Sequence, residues 1–322
     1  MTLPPPPPTP PPPSLPAALP FVKLHGCAND YVLVDGCAAT LPDWGAFARA
    51  ACDRRRGIGA DGLLVVLPAA PAADARMAMF NPDGSEAEMC GNGLRCLGKF
   101  LHDRRRVGRE FRIATRAGVV AMQVEQIDAA GRATRLAATL GVPDFRRAAV
   151  PMAGPPELPA RDEPFALAGR TLRLTALRLG NPHAVVFVDD VARYPVHSVG
   201  PALERDPRFP ARVNVEFVEV VANGRLRQRT WERGAGETLA CGSGATAAAI
   251  VARLVHGFPA DVAVALLGGE VTVRWEGEGQ PATLAGPAVE IGSGTLDPAA
   301  LLADAAPPIG FAAPAPDAPP AG

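Results

Sequence analysis

The sequence predicts an α+β fold of two pseudo-symmetric halves, each a strand-rich, barrel-like shell around one central helix. Three observations point to it. Short strand-type apolar runs recur along the chain between turn signals. Two helical segments open on the same Cys-Gly-polar-Gly frame, at Cys90 and at Cys241. Matched anchors also recur at almost one interval, the mark of an internal repeat. GCANDYVLVD (26–35) echoes GNPHAVVFVDD (180–190), with Asn29 opposite Asn181, and Gly62 lies opposite Asn214, both 152 residues apart. Cys90 and Cys241 are 151 apart, and Asn81 and Glu232 each stand nine residues before their cysteine.

A chain of 322 residues, 48% hydrophobic and 20% charged, can bury one large or two medium cores. Residues 1–20, rich in proline, cannot pack a core and are expected to form a disordered arm; 302–322, rich in alanine and proline, read as a disordered tail. The first half is expected over 21–140 and the second over 141–287.

Within the first half, strands are expected at Tyr31–Asp35 and Leu63–Leu67. They flank a helix at Trp44–Cys52, where Trp44, Phe47 and Ala51 recur at helical spacing. A strand at Met77–Phe80 closes on the turn signal Asn81–Gly84. Leu94, Leu97 and Leu101 predict a helix over Gly91–His102, followed by strands at Phe111–Thr115 and Val119–Val124.

The proline-rich passage Val150–Pro164 reads as a surface loop. Strand-type runs resume at Leu172–Leu177, Ala184–Val188, Val213–Val221 and Arg225–Trp231. The helix from Gly242 to about Val255 is apolar nearly all round, so it must be enclosed on every side. Strands at Val262–Leu267, Val271–Trp275, Thr283–Ala285 and Ala288–Ile291 can wrap it.

Net charge is −1, and apart from Arg54–Arg56 and Arg104–Arg106 the basic residues are scattered, which leaves no electrostatic footprint for nucleic acid. No basic segment leads into an apolar run, and no apolar stretch reaches about 18 residues, so neither export nor a membrane partner is expected and the cytoplasm is the default. The six cysteines are too scattered for a disulfide scaffold, and no CxxC pair offers a zinc site. Lysine occurs only at Lys23 and Lys99, leaving few candidates for a Schiff base with pyridoxal phosphate. A mechanism without cofactor or metal is therefore expected.

The chemistry concentrates on Cys90 and Cys241. A thiol at a helix start is shifted toward thiolate, but the helix dipole supplies only ~0.3–1 kcal/mol, under one pKa unit. Another group must poise the pair, and His183 and Glu232 are the titratable candidates near the glycine-rich frames. The glycines after each cysteine leave backbone N–H groups free for a carboxylate. Two such starts facing each other would set one thiol on each side of the adjacent carbon, one to remove its proton and one to return it. Asn29, Asn81, Asn181 and Asn214 read as polar lining of that cleft. Cys27, Cys37, Cys52 and Cys96 lack the frame and read as core or surface thiols. GIGADG (57–62) matches GxGxxG but precedes a strand instead of opening a helix, so it is not a dinucleotide loop.

The runs KLHGCANDYVLVD, RRRGIGADGLLVV, FNPDGSEAEMCGNGLRC, GNPHAVVFVDD, RVNVEFVEV and ERGAGETLACGSGA resemble the diaminopimelate epimerase family in order and spacing across nearly all of 21–293. The resemblance implies a diaminopimelate epimerase-like fold whose last strand, at about 288–301, returns to the first half. It implies a cofactor-independent homodimer acting on a small molecule, interconverting LL- and meso-2,6-diaminopimelate for lysine and peptidoglycan precursor synthesis. By position, Cys90 and Cys241 match the family's acid/base thiols, and Gly91, Asn92, Gly242 and Ser243 the cradle of the reacting carboxylate. Asn29, Asn81, Asn181, Asn214, Glu232 and Arg233 match substrate-binding positions, with Arg233 suited to the distal carboxylate; His183 and Glu232 match residues that tune the thiols. Two departures stand out: Gly62 brings no side chain where some members place glutamine, and Cys27-Ala28 replaces an apolar-glycine pair. The rivals are a proline, hydroxyproline or histidine racemase of the same fold and, from another class, a ligand-binding protein with a reversible Cys90–Cys241 disulfide.

Overall fold

The computed structural model describes residues 15–39 and 41–304. β1 (Leu19–Gly26) and β2 (Asn29–Asp35) form a hairpin, and α1 (Trp44–Cys52) crosses to β3 (Gly62–Leu67), which pairs parallel with β2. β4 (Ala75–Phe80) and β5 (Glu86–Ala87) lead into α2 (Gly91–Asp103), and β6 (Glu110–Thr115), β7 (Gly118–Ile127) and β8 (Ala133–Gly141) complete the circuit. β9 (Glu163–Leu167) then opens a second circuit of the same plan. It runs through β10 (Arg170–Leu179), β11 (Asn181–Phe187), α3 (Val196–Glu204), β12 (Asn214–Ala222), β13 (Arg225–Glu232) and β14 (Gly236–Thr238). α4 (Gly242–His256), β15 (Asp261–Leu266), β16 (Gly269–Trp275) and β17 (Ala282–Pro287) follow, before β18 (Val289–Leu296) and α5 (Pro298–Asp304).

The repeat in the sequence is a repeat of strand pairings. β2–β3 and β11–β12 are parallel, with Tyr31 opposite Gly62 and His183 opposite Asn214; β4–β6 and β13–β15 are parallel as well. The outer neighbour of β1 is β18, and the corresponding neighbour of β10 is β9. β8 pairs with β17, so the two shells join in one 18-stranded sheet.

Each shell closes around its own helix. Asp43 caps α1 by accepting a hydrogen bond from Ala46 N–H at 2.9 Å. α2 sends Leu94, Leu97 and Leu101 into the core, and α4 is buried from Gly244 through Ala252 except at its polar ends. α4 stops at Gly257, which takes the left-handed conformation (φ 68°) that frees the chain from the helix. One continuous core contains both helices, while Val186, Phe209 and Phe217 belong to a second cluster under α3, and Val32 and Val34 to a third under α1.

The structure corrects several expectations. The arm begins to fold before residue 21: Leu19 starts β1 and is buried, and Leu15 packs on the cluster under α1, because apolar side chains there outweigh the flanking prolines. Residues 1–14 and 305–322 lie outside the described residues. The returning strand ends at Leu296, not 301. Asp297 accepts from Ala299 and Ala300 N–H, Pro298 takes the first helical position, and α5 carries the chain to Asp304, so 302–304 are helical. The Val150–Pro164 passage is irregular up to β9 and runs on the surface, with residues 153–159 exposed, but Val150, Met152 and Ala160 anchor it in the second cluster.

Candidate active site

In the first half Cys90 is the residue before α2, in extended backbone (φ −143°, ψ 122°), and makes no side-chain cap. Its Sγ lies 3.0 Å from Tyr31 Oη, and the same hydroxyl bonds to Asn29 Oδ1. Asn92 Nδ2 donates to Asn29 Oδ1 and to Ala240 O, each at 3.1 Å. Asn29 is held from behind by its Nδ2 donating to Asp61 Oδ2 at 2.9 Å. That carboxylate belongs to a charged cluster in which Lys23 and Arg54 each reach Asp30 at 2.7 Å and Arg54 reaches Asp61 at 2.9 Å. Burial works against the Asp30 charge, but hydrogen bonds from Arg54 and Lys23 outweigh it and hold that carboxyl well below the usual range. The hairpin turn before Asn29 places Cys27 (φ 54°) and Ala28 (φ 63°) both in the left-handed region, a strained choice for two residues with side chains.

In the second half Cys241 precedes α4 in the same extended conformation (φ −115°, ψ 108°). His183, fully buried, lies 2.8 Å from Asn181 Oδ1 through Nε2 and 2.8 Å from Glu216 Oε1 through Nδ1. Asn214 ties the local backbone together, donating to Pro182 O and accepting from Arg233 N–H, both at 2.9 Å. Glu232 accepts from Thr238 Oγ1 at 2.5 Å, and Ser243 Oγ is 3.7 Å from Cys241 Sγ. Burial first, then the carboxylates of Glu232 and Glu216, push the Cys241 thiol well above its ordinary value. Burial also raises Glu232, against the hydrogen bond from Thr238. Gly244 is required: a Cβ there would sit 2.6 Å from Glu216 Oε1 and 3.2 Å from Cys241 Sγ.

The two helix starts touch. The start of α4 also packs tightly on β17, where a Cβ on Gly242 would fall 2.8 Å from Leu284 Cδ2, and Asn92 joins α2 to Ala240 just before it. A cysteine sulfur accepts only weakly, so although the Gly244 N–H acts on Cys241, the other first-turn N–H groups of both helices are left for an anion. A surface concavity lined by Asp74, Arg112 and Thr283 among others contains neither cysteine.

The sequence-derived residues divide accordingly. Cys90, Gly91, Asn92, Asn29, Gly242 and Cys241 gather around the helix junction, and Asn181, His183, Asn214, Glu232 and Ser243 form the adjoining wall. Asn81 sits in its own turn, donating to Ser85 Oγ at 2.9 Å. The exposed Arg233 donates to Ala211 O at 3.1 Å. Sequence reasoning missed Tyr31 and Glu216. Each stands two residues beyond a lining asparagine in a strand, hence on the same face, and that period of two was the available signal. Among the remaining core thiols, burial pushes Cys52 and Cys96 up to about 12 and raises Cys27.

Against this geometry, the family model described as diaminopimelate epimerase matches residues 21–137 and 175–291, one segment in each half. A diaminopimelate epimerase of Moorella thermoacetica is 45% identical over 273 residues, covering 84% of this chain and 96% of that one. One from Aromatoleum aromaticum is 43% identical and covers 87% and 99%. Among solved structures, a probable proline racemase from Agrobacterium radiobacter is 19% identical with a TM-score of 0.62, covering 86% of this chain and 92% of that one. A hydroxyproline epimerase from Agrobacterium vitis is 18% identical with a TM-score of 0.60, covering 87% and 93%. At that identity the two structures speak for the shared fold alone, whereas the sequence matches run through both cysteine frames: the chain belongs to the diaminopimelate epimerase family.

Proposed function

We propose that this protein interconverts LL- and meso-2,6-diaminopimelate by removing the α-proton with one thiolate and returning a proton from the other thiol to the opposite face, without a cofactor. The observation that carries the reading is the junction of α2 and α4, where each helix starts on an uncapped cysteine and the two starts are in contact. The first-turn N–H groups after Cys90 and Cys241 hold the reacting carboxylate, with Gly91, Asn92, Gly242 and Ser243 as the cradle. That anchor places the α-carbon between the two sulfurs. Proton removal leaves a carbanion flanked by one thiol and one new thiol, and protonation by the second from the far side inverts the centre.

Asn29, Asn81, Asn181 and Asn214 bind the polar ends, and Arg233 leaves Ala211 O to pair with the distal carboxylate. Glu232 acts on Cys241 directly, and His183 acts on it through Glu216, the carboxylate it bonds. The reaction serves lysine and peptidoglycan precursor synthesis, in the cytoplasm and as a homodimer.

The test is solvent exchange in D₂O with no cofactor added. Deuterium is expected to enter the α position of diaminopimelate as the LL and meso forms interconvert. No exchange with diaminopimelate, together with turnover of proline, hydroxyproline or histidine, would assign the site to a racemase of the same fold instead.

A further inference from the structure

We propose that Tyr31 is the first half's counterpart of His183: a positioning residue whose hydroxyl serves Cys90 in both of its protonation states. The inference rests on Cys90 being one of the two reacting thiols. Tyr31 and His183 are 152 residues apart, the interval of the repeat, and occupy the same register, opposite Gly62 and Asn214 on the neighbouring parallel strand. Each bonds to the side-chain oxygen of the asparagine two residues before it, Tyr31 Oη to Asn29 and His183 Nε2 to Asn181. One position in the duplicated frame therefore carries a phenol beside one thiol and an imidazole bonded to Glu216, a carboxylate that acts on the other. A Cβ on Gly62 would meet the Tyr31 ring at 3.4 Å, ordinary contact, and would crowd Phe80 O at 3.1 Å.

A phenol has one proton to give and lone pairs to accept. Asn29 Oδ1 offers no proton, so Tyr31 is the donor in that bond, and Cys90 S–H is then the donor across the 3.0 Å contact. When Cys90 loses its proton, rotation of the hydroxyl turns the same O–H toward the thiolate. Asn29 Oδ1 is not orphaned by the move, because Asn92 Nδ2 still donates to it. Burial, and next the neighbouring Cys90, hold the phenol well above the ordinary tyrosine value, so it keeps the proton it must aim. The other titratable or charged groups facing it are Cys96 and Arg95, both on α2. The device suits a thiol that is base for one isomer and acid for the other.

Tyr31→Phe preserves the packing and removes only the hydroxyl. In the full chain, kcat is expected to fall about 10-fold with KM changed less than about twofold, the size of a lost hydrogen bond to a charged group. Iodoacetamide labelling needs no substrate and so reports independently of which amino acid is turned over. With Cys241→Ser as background, Tyr31→Phe is expected to move the pH of half-maximal Cys90 alkylation upward by about one unit. With Cys90→Ser as background, the Cys241 profile is expected to stay where it was. An unchanged Cys90 profile overturns the proposal, as does an equal shift at both thiols. Should Tyr31→Phe fail to fold, the chain holds only two tyrosines, so fluorotyrosine in a Tyr194→Phe background labels residue 31 alone. Its ¹⁹F resonance is expected to move when Cys90 is alkylated, and a resonance that stays fixed overturns the proposal.

Discussion

The two halves share a strand plan, a helix and a cysteine, and differ in what touches the sulfur. Cys90 is half-buried and meets a phenol; Cys241 is buried and adjoins two carboxylates, one of which, Glu216, bonds to His183. Duplication supplies the placement that the proposed inversion needs, one thiol at the start of each central helix. It cannot supply the difference in protonation, since two identical sites would hold the same proton count. That difference is written in a few inward-facing side chains at equivalent strand positions: Tyr31 against His183, Gly62 against Asn214, Leu64 against Glu216.

The largest effects come from erasing either thiol. Cys90→Ser and Cys241→Ser are each expected to lower kcat by roughly 100- to 10,000-fold, the usual worth of a placed acid or base. Each should do so in both directions of the reaction, measured by racemisation assay on either isomer. If one variant kept near-normal turnover, the halves would not be partners and the two-base scheme would fall.

Glu216→Gln sharpens the comparison at the next level. The amide can still accept from His183 but removes a negative charge beside Cys241, where that charge raises the thiol. The folded-state thiol should therefore ionise at lower pH. The limb of the kcat/KM profile that reports the dithiol pair is expected to move down by about one unit, with kcat changed by roughly 10-fold. Because Oε2 of Glu216 is buried without a partner among the described residues, the substitution should not cost stability, which thermal denaturation will show.

The smallest effect concerns the other tyrosine. Tyr194 stacks near Phe217, 4.9 Å between ring centres. Burial raises its phenol above the ordinary value, against Arg170 nearby, and among the described residues no partner meets the buried hydroxyl in hydrogen-bonding geometry. Distance and angle decide whether a hydrogen bond forms, so the hydroxyl stands unpaired. Tyr194→Phe is expected to leave kcat unchanged and to raise stability by up to about 1 kcal/mol in denaturant titration. A loss of turnover there would mean that a hydroxyl in the second half also serves a thiol.

Much of this was legible in the sequence, and the repeat held more than its anchors. α1 occupies 44–52 and α3 occupies 196–204, the same interval of 152, so the first helix already located the third. Apolar spacing alone did not find α3 because Gly200 and Pro201 interrupt it, yet tertiary packing on β12 and β13 holds the helix in place. β8 was likewise hidden, an alanine-rich strand with little β propensity whose counterpart β17 was visible. At the site, residue identity announced the cysteines, asparagines and Glu232 because glycine-rich frames surround them. Tyr31 and Glu216 sit inside apolar runs, and nothing in composition says toward which neighbour a strand residue points.

β18 completes the wall of the first shell by pairing with β1, far away along the chain. During synthesis, every strand of the second half has left the ribosome by Pro287, while β1 still waits for its outer neighbour. The half that begins first is thus finished last. Cys90 remains in an incomplete shell until nearly the whole chain is made, and a chain cut short before Leu296 should carry a closed second half beside an open first one.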